Sequence, residues 1–138
     1  MNDQANVEVV QQHFAAFEQG DFRAALNVFA AEVDFQSPVT RTAPKEISWA
    51  QSRHSREEIA AFFKELGEKM EIERMETFAF TAQGDRVIVE GRNRGTVRST
   101  GRTYEHDWVM VFTLHAGKIV RCRHYYDTAD LVAAFRRE

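Results

Sequence analysis

Two histidines, His106 and His124, are the side chains best suited to proton transfer, and each lies in a stretch of alternating polar and apolar residues. An imidazole titrates near neutrality, so it can take a proton from carbon or water and give it back. Asn93 and Tyr126 lie in stretches of the same kind and offer hydrogen bonds to an oxyanion as it forms. His54 adds a third imidazole from a long aperiodic segment. Two readings stay open: an acid–base site on His106 or His124, and a set of hydrogen-bonded polar groups lining a binding pocket. Two histidines without an inward carboxylate fall short of the three protein ligands of a catalytic zinc, so no metal and no other cofactor is expected.

These groups can meet only if their strands turn the same face inward. Period-two segments run over 71–82, 85–98, 103–114 and 118–126, separated by Gln83-Gly84-Asp85, Thr100-Gly101 and Ala116-Gly117. Alternation gathers Val87, Val89, Gly91, Asn93, Gly95 and Val97 on one face of the second strand. It likewise gathers His106, Trp108, Met110, Phe112 and Leu114 on the third, and Val120, Cys122, His124 and Tyr126 on the fourth. The opposite face carries Glu90, Glu105 and Asp107 among Arg92, Arg94, Arg121 and Arg123, which read as cross-strand support or a homodimer contact. A three-residue loop pairing Leu114 with Lys118 sets Trp108 opposite His124 and His106 opposite Tyr126, making the histidines diagonal neighbours; a two-residue loop breaks the facial match. The Thr100-Gly101 turn sets Asn93 opposite Trp108 and Gly95 opposite His106. Gly91 and Gly95 either let the sheet bend or leave room for a ligand.

Upstream, Val10, Phe14 and Phe17 form one helical stripe over about 7–19. Gly20 stops that helix, and Asp21 caps a second one carrying Phe22, Leu26 and Phe29. A strand over Val33–Ser37 ends at Pro38. Residues 38–54 show no period but contain Ile47 and Trp49, so a lid folding back over the body is expected. Ser55 and Glu58 form a capping box ahead of Ile59, Phe62, Phe63 and Leu66. Asp127 caps a last helix reaching Arg136. Helices first and a meander last predict an α+β domain over residues 1–138: a curled antiparallel sheet forming a cone, with helices on its concave face. His13 and His115 read as surface residues, and Cys122 as an inert core thiol.

Composition narrows the function classes. The 138 residues are 43% hydrophobic with a net charge of −3, and their charges are interspersed rather than gathered in a basic stripe, so no nucleic acid is expected. No run approaches the ~18 apolar residues of a membrane span. The polar start MNDQANVEVVQQHF has no apolar signal core, which predicts a cytoplasmic protein. Cys122 is the only cysteine, so no internal disulfide can form.

Two helices broken at Gln19-Gly20-Asp21, the Val33–Pro38 strand, a capped helix and a meander ending Gly117-Lys118-Ile119…His124-Tyr125-Tyr126-Asp127 together resemble SnoaL-like domains of the nuclear-transport-factor-2-like (NTF2-like) superfamily. The resemblance covers essentially the whole chain. It implies a small, mostly apolar metabolite in the cone and a homodimer, and leaves open isomerase, lyase or hydrolase chemistry as against a non-catalytic accessory module. In the steroid isomerases of that superfamily an aspartate base precedes the proline, where this chain has Ser37, and the oxyanion-donating tyrosine falls at about Phe14 or His13. The epoxide hydrolases are similar through Met75-Glu76-Thr77-Phe78, Gly101-Arg102-Thr103-Tyr104 and Gly117 to Asp127. Their Asp–Arg–Asp set with a Tyr and an Asn reads here as Asn93, Gly91, His124, Phe35 and about Ser37, so neither chemistry transfers intact. Carried over this way, the resemblance adds Phe14, Phe35 and Ser37 to a pocket whose strand walls hold Asn93, Trp108, Met110 and Tyr126.

Overall fold

Apolar spacings of three and four wind the N-terminal segment into α1 (Asp3–Glu18), opened by the Asn2 side chain, which accepts from the Ala5 N–H. The structure is a computed structural model and describes residues 2–137. Asp21 caps α2 (Phe22–Asn27), Ser55 caps α3 (Arg56–Lys69) and Asp127 caps α4 (Thr128–Phe135), each side chain accepting the N–H three residues on. All three caps fall where the sequence places them. Phe29 does not: α2 ends at Asn27 with Val28 as its C-cap, and Phe29 opens a longer first strand.

Among the described residues the strands are β1 (Phe29–Gln36), β2 (Arg53–Ser55), β3 (Met70–Gln83), β4 (Arg86–Val97), β5 (Thr103–His115) and β6 (Lys118–Tyr126). They form one six-stranded sheet in the order β2-β1-β6-β5-β4-β3. The meander β3 to β6 is antiparallel throughout. The sheet is mixed, however, because β1 runs parallel to β6 while β2 pairs antiparallel with β1. The β3–β4 register slips between Ile72 and Arg74 and again between Thr77 and Ala79. Such bulges add local twist and bend, which curls the long β3 around the helices.

Two registers depart from expectation. Ala116 and Gly117 both take positive φ, 50° and 78°, in a two-residue hairpin pairing His115 with Lys118. That turn would put the wrong face of β6 inward, but a bulge follows at once: Leu114 pairs with Ile119, and Thr113 with Arg121. The extra residue, Val120, resets the parity, so Ile119 rather than Val120 is buried while Cys122 and His124 still face the core. His124 therefore stands opposite Met110, and Tyr126 opposite Trp108. In β4 and β5, Gly91 stands opposite Trp108 and Asn93 opposite His106, two residues from the expected pairing, because the chain needs the wider loop after Val97. Val97 N–H closes that loop on the Arg102 carbonyl at 2.9 Å.

The core fills the concave side, where α1 brings Val10 and Phe14 and α3 brings Ile59 and Phe62 against Phe29, Val89 and Phe112. The segment 38–54 does fold back: Ile47 and Trp49 are buried. It is pinned by the Val39 N–H on the His124 carbonyl at 3.0 Å and by the Arg53 guanidinium on the Trp49 carbonyl at 3.1 Å. The convex face carries the expected charge pairs, Arg92 with Asp107 at 3.0 Å and Arg94 with Glu105 at 3.6 Å. Being exposed, such pairs are worth no more than ~1 kcal/mol each.

Candidate functional site

Between the concave wall and the helices lies a cavity of about 90 Å³. Phe14, Phe35, Phe62, Met75 and Met110 give it an apolar surface. Its size is below the ~150 Å³ of an engineered cavity that admits benzene, so a larger guest must displace side chains. Met75 and Met110 are unbranched and suited to that.

His106 lines this cavity and is 8% exposed. Its Nδ1 lies 2.9 Å from Asp130 Oδ2, and the same oxygen accepts the Glu105 N–H at 3.0 Å. A carboxylate can only accept, so Nδ1 carries the proton and the lone pair of a neutral ring sits on Nε2. The ring is held between two phenols, stacked on Tyr104 at 5.5 Å and on Tyr126 at 5.4 Å. Asp130 does not line the cavity and its side chain is 37% exposed, yet it supplies the carboxylate partner that the sequence reading lacked. It sits one turn into α4, three residues after the cap, and which strand residue it meets is set by how the helix docks, which no local pattern reports. Even with it, no group of three His, Cys, Asp or Glu among the described residues is arranged to hold a metal ion.

His124 has a different environment. Its Nδ1 is 2.8 Å from Ser37 Oγ, where the buried end of β1 runs beside β6. Its Nε2 is buried with no hydrogen-bond partner. Whichever way the Ser37 hydroxyl points, one ring nitrogen keeps an unmet donor or acceptor, a cost of ~1–3 kcal/mol. Burial first, and the neighbouring His106 second, lower its pKa to about 3, so the ring is neutral at pH 7. The two histidines are not diagonal neighbours as expected; the Tyr126 ring stands between them, 4.8 Å from His124 and 5.4 Å from His106.

Asn93 lines the cavity with its amide fixed: Trp108 Nε1 donates to Asn93 Oδ1 at 2.8 Å. An indole N–H can only donate, so the amide oxygen must face it and the NH₂ group is left to donate elsewhere. The Trp49 side chain stands beside the Tyr126 hydroxyl, and since an indole N–H can only donate, the hydroxyl keeps its own proton available. Burial raises the pKa of Tyr126, and lifts that of Tyr104 to about 12, so both stay phenols.

Two expected site residues lie elsewhere. His54 is exposed: pairing of Phe35 with Arg53 turns Arg53 inward, and His54 points away beside Asp34. Trp108 is buried in the wall but does not line the cavity; its indole lies over Gly91, touches His124 edge-on at 5.6 Å and stacks on Phe14. Gly91 and Gly95 do not leave ligand space either. A Cβ at Gly91 would overlap the Trp108 ring and one at Gly95 the Tyr104 hydroxyl, so aromatic side chains already fill both hollows. Phe14, Phe35, Ser37, Met110 and Tyr126 all line the cavity, as does Cys122, whose buried thiol is pushed up in pKa and stays protonated.

His13 is a residue that sequence reasoning misplaced. It is 6% exposed, lines the cavity, and gives its Nδ1 proton to the Ala25 carbonyl at 2.9 Å. Burial lowers its pKa to about 4. The signal was available: His13 falls three residues after Val10, on the same helical stripe.

A curled six-stranded sheet closed by helices around an apolar cavity is the NTF2-like α+β cone. Solved structures agree. An NTF2-like protein from Burkholderia xenovorans LB400 is 34% identical, with 99% of each chain covered and a TM-score of 0.83. One from Burkholderia thailandensis E264 is 28% identical, with 99% of each chain covered and a TM-score of 0.86. A candidate polyketide cyclase from Xanthomonas campestris pv. campestris shares the fold at 22% identity and a TM-score of 0.78, covering 99% of this chain and 100% of its own. Within that class the chain belongs to the SnoaL-like domain family, whose pattern it matches over residues 10–122. No curated protein matches it in sequence. No helix among the described residues is long and apolar enough to cross a membrane.

Proposed function

We propose that the cavity holds a small, largely apolar carbonyl compound and that His106 moves a proton next to the carbonyl. The observation that carries this reading is the His106–Asp130 pair, stacked between Tyr104 and Tyr126 on the cavity wall. Nε2 takes a proton from the carbon beside the carbonyl, and the C–H electron pair moves to form the enolate. The positive charge acquired by the ring is met by the Asp130 carboxylate and by two phenol faces. The free Asn93 amide hydrogens and the Tyr126 hydroxyl are the donors for the enolate oxygen. The proton then returns from Nε2, to a different carbon in an isomerisation or to a departing oxygen in an elimination. His124, held neutral, is unsuited to act as the base and serves as a hydrogen-bonding wall group.

The test is exchange of the carbon-bound hydrogens of apolar cyclic ketones in deuterated water, followed by NMR. Wild-type protein is expected to catalyse exchange, and His106→Gln to lose ~10²–10⁴ of the rate while ketone affinity changes only a few-fold. Equal rates in the two proteins would sink the reading. The low proton affinity of His124 and the unmet Nε2 favour a second reading, a binding module without turnover. On that reading wild type catalyses no exchange, and substitution of either histidine weakens affinity instead. On either reading, the exposed Phe78, Ile88 and Tyr125 make the sheet's outer side our choice for pairing two copies, which sedimentation would show as a dimer that Tyr125→Glu splits.

A further inference from the structure

His13 has no part in the proton transfer described above, yet it is among the most enclosed polar groups on the cavity wall. Its Nδ1 is accounted for: the proton goes to Ala25, whose carbonyl lies in the last turn of α2 and needs a donor. Its Nε2 is not. With the proton committed to Nδ1, Nε2 presents a bare lone pair, and no partner for it occurs among the described residues. The ring is packed edge-to-face with Phe14, Phe29 and Phe112, none of which can donate a hydrogen bond from its side chain. Capping α2 therefore explains one nitrogen and leaves the other as an acceptor without a protein partner, on a ring that lines the cavity and is 6% exposed.

The position of this acceptor adds to the argument. His13 packs on Phe112, six residues along β5 from His106, whereas His106 sits between Tyr104 and the α4 carboxylate. The cavity thus has His106 toward one end and His13 toward the other, with Met110 and the His124–Ser37 pair between. The His106 end has donors for a carbonyl oxygen in Asn93 and Tyr126 beside the His106 Nε2 lone pair, while the His13 end offers an acceptor alone. A molecule complementary to both carries a carbonyl at one end and a hydrogen-bond donor at the other.

We propose that His13 Nε2 is a recognition point that accepts a hydrogen bond from a ligand hydroxyl, so that the ligands of this cavity are hydroxylated apolar compounds, phenols or alcohols, rather than bare hydrocarbons. The proposal rests on the reading of the cavity as a ligand site and deepens it. It is independent of whether His106 catalyses anything.

Phenol and toluene, nearly equal in size, separate the two questions. Their affinities are measured by NMR titration for wild type, His13→Phe and His106→Gln. The phenol-to-toluene affinity ratio is expected to fall about tenfold in His13→Phe, the equivalent of one hydrogen bond, and by far less in His106→Gln. Because His13→Phe also removes the donor from Ala25 and could unfold α2, a second measurement uses the unaltered protein. The ¹⁵N resonance of His13 Nε2 is expected to move upfield on saturation with phenol and to stay in place with toluene. An unmoved resonance, or a ratio that His13→Phe leaves unchanged, overturns the assignment of His13 alone. A ratio that collapses in His106→Gln instead places the hydroxyl at the other end and also overturns it. A wild-type protein that binds neither molecule overturns the cavity reading itself.

Discussion

At one end of the concave wall His106 is tied to Asp130, an acid on the last helix; farther along, His124 is tied to the Ser37 hydroxyl and shut away from water. Both rings stand on adjacent strands, both face the cavity, and a single tyrosine touches each. Their burial is nearly equal, 8% and 9% exposed, and the partner is what differs. A carboxylate compensates the charge of an imidazolium, whereas a hydroxyl does so weakly and burial penalises the charge outright. One residue type on one wall therefore has two electrostatic settings, and the difference is made by the neighbouring elements rather than by the strands themselves.

The sharpest way to break this contrast is to lower the pH. Burial holds His124 near about 3 and His13 near about 4, while both titrate at about 6.5 in the unfolded chain. Between those values the unfolded state binds more protons, so stability is full above about pH 6.5 and falls as pH drops toward 4. With two rings contributing, the slope approaches ~2.7 kcal/mol per pH unit, to be read from urea midpoints. A flat midpoint over that range would mean that water reaches both rings and that the contrast is false.

Next in size is Asp130→Asn, which keeps an acceptor for Nδ1 but removes its charge. The ketone exchange rate is expected to drop ~10- to 150-fold with ketone affinity nearly unchanged, the worth of a hydrogen bond to a charged group. A drop in affinity with no change in rate would reduce Asp130 to scaffolding. Ser37→Ala acts on the other ring, strands its Nδ1 and is expected to cost ~1–3 kcal/mol of stability in denaturant titrations without slowing exchange. The smallest effect is expected outside the cavity altogether. Arg92→Ala loses an exposed pair with Asp107 and should shift stability by less than ~1 kcal/mol; a larger change would show that the convex face does more than carry solvated charge.

Much of this was legible in the residues, and the failures have identifiable causes. Side-chain alternation placed Asn93, His106, Met110 and His124 on the inner face because a buried sheet face enforces period two. The same rule misassigned Val120 and Ile119, since a bulge inserts one residue without any composition mark of its own. It could not choose between Arg53 and His54 either, because a three-residue edge strand is too short to show a period. The caps at Asp21, Ser55 and Asp127 were readable because capping is local chemistry. What Asp130 does next to its cap was not, because its partner lies 24 residues away in sequence.

That partnership makes Asp130 a tether as well as an acid. Through one oxygen it joins α4 to the Glu105 backbone and to the imidazole beside it. Any change that lifts α4 off the sheet takes the acceptor away from His106 Nδ1 and from the Glu105 N–H together. The docking of one short helix thus sets the charge environment of a residue on the opposite element, without any change in the sheet itself.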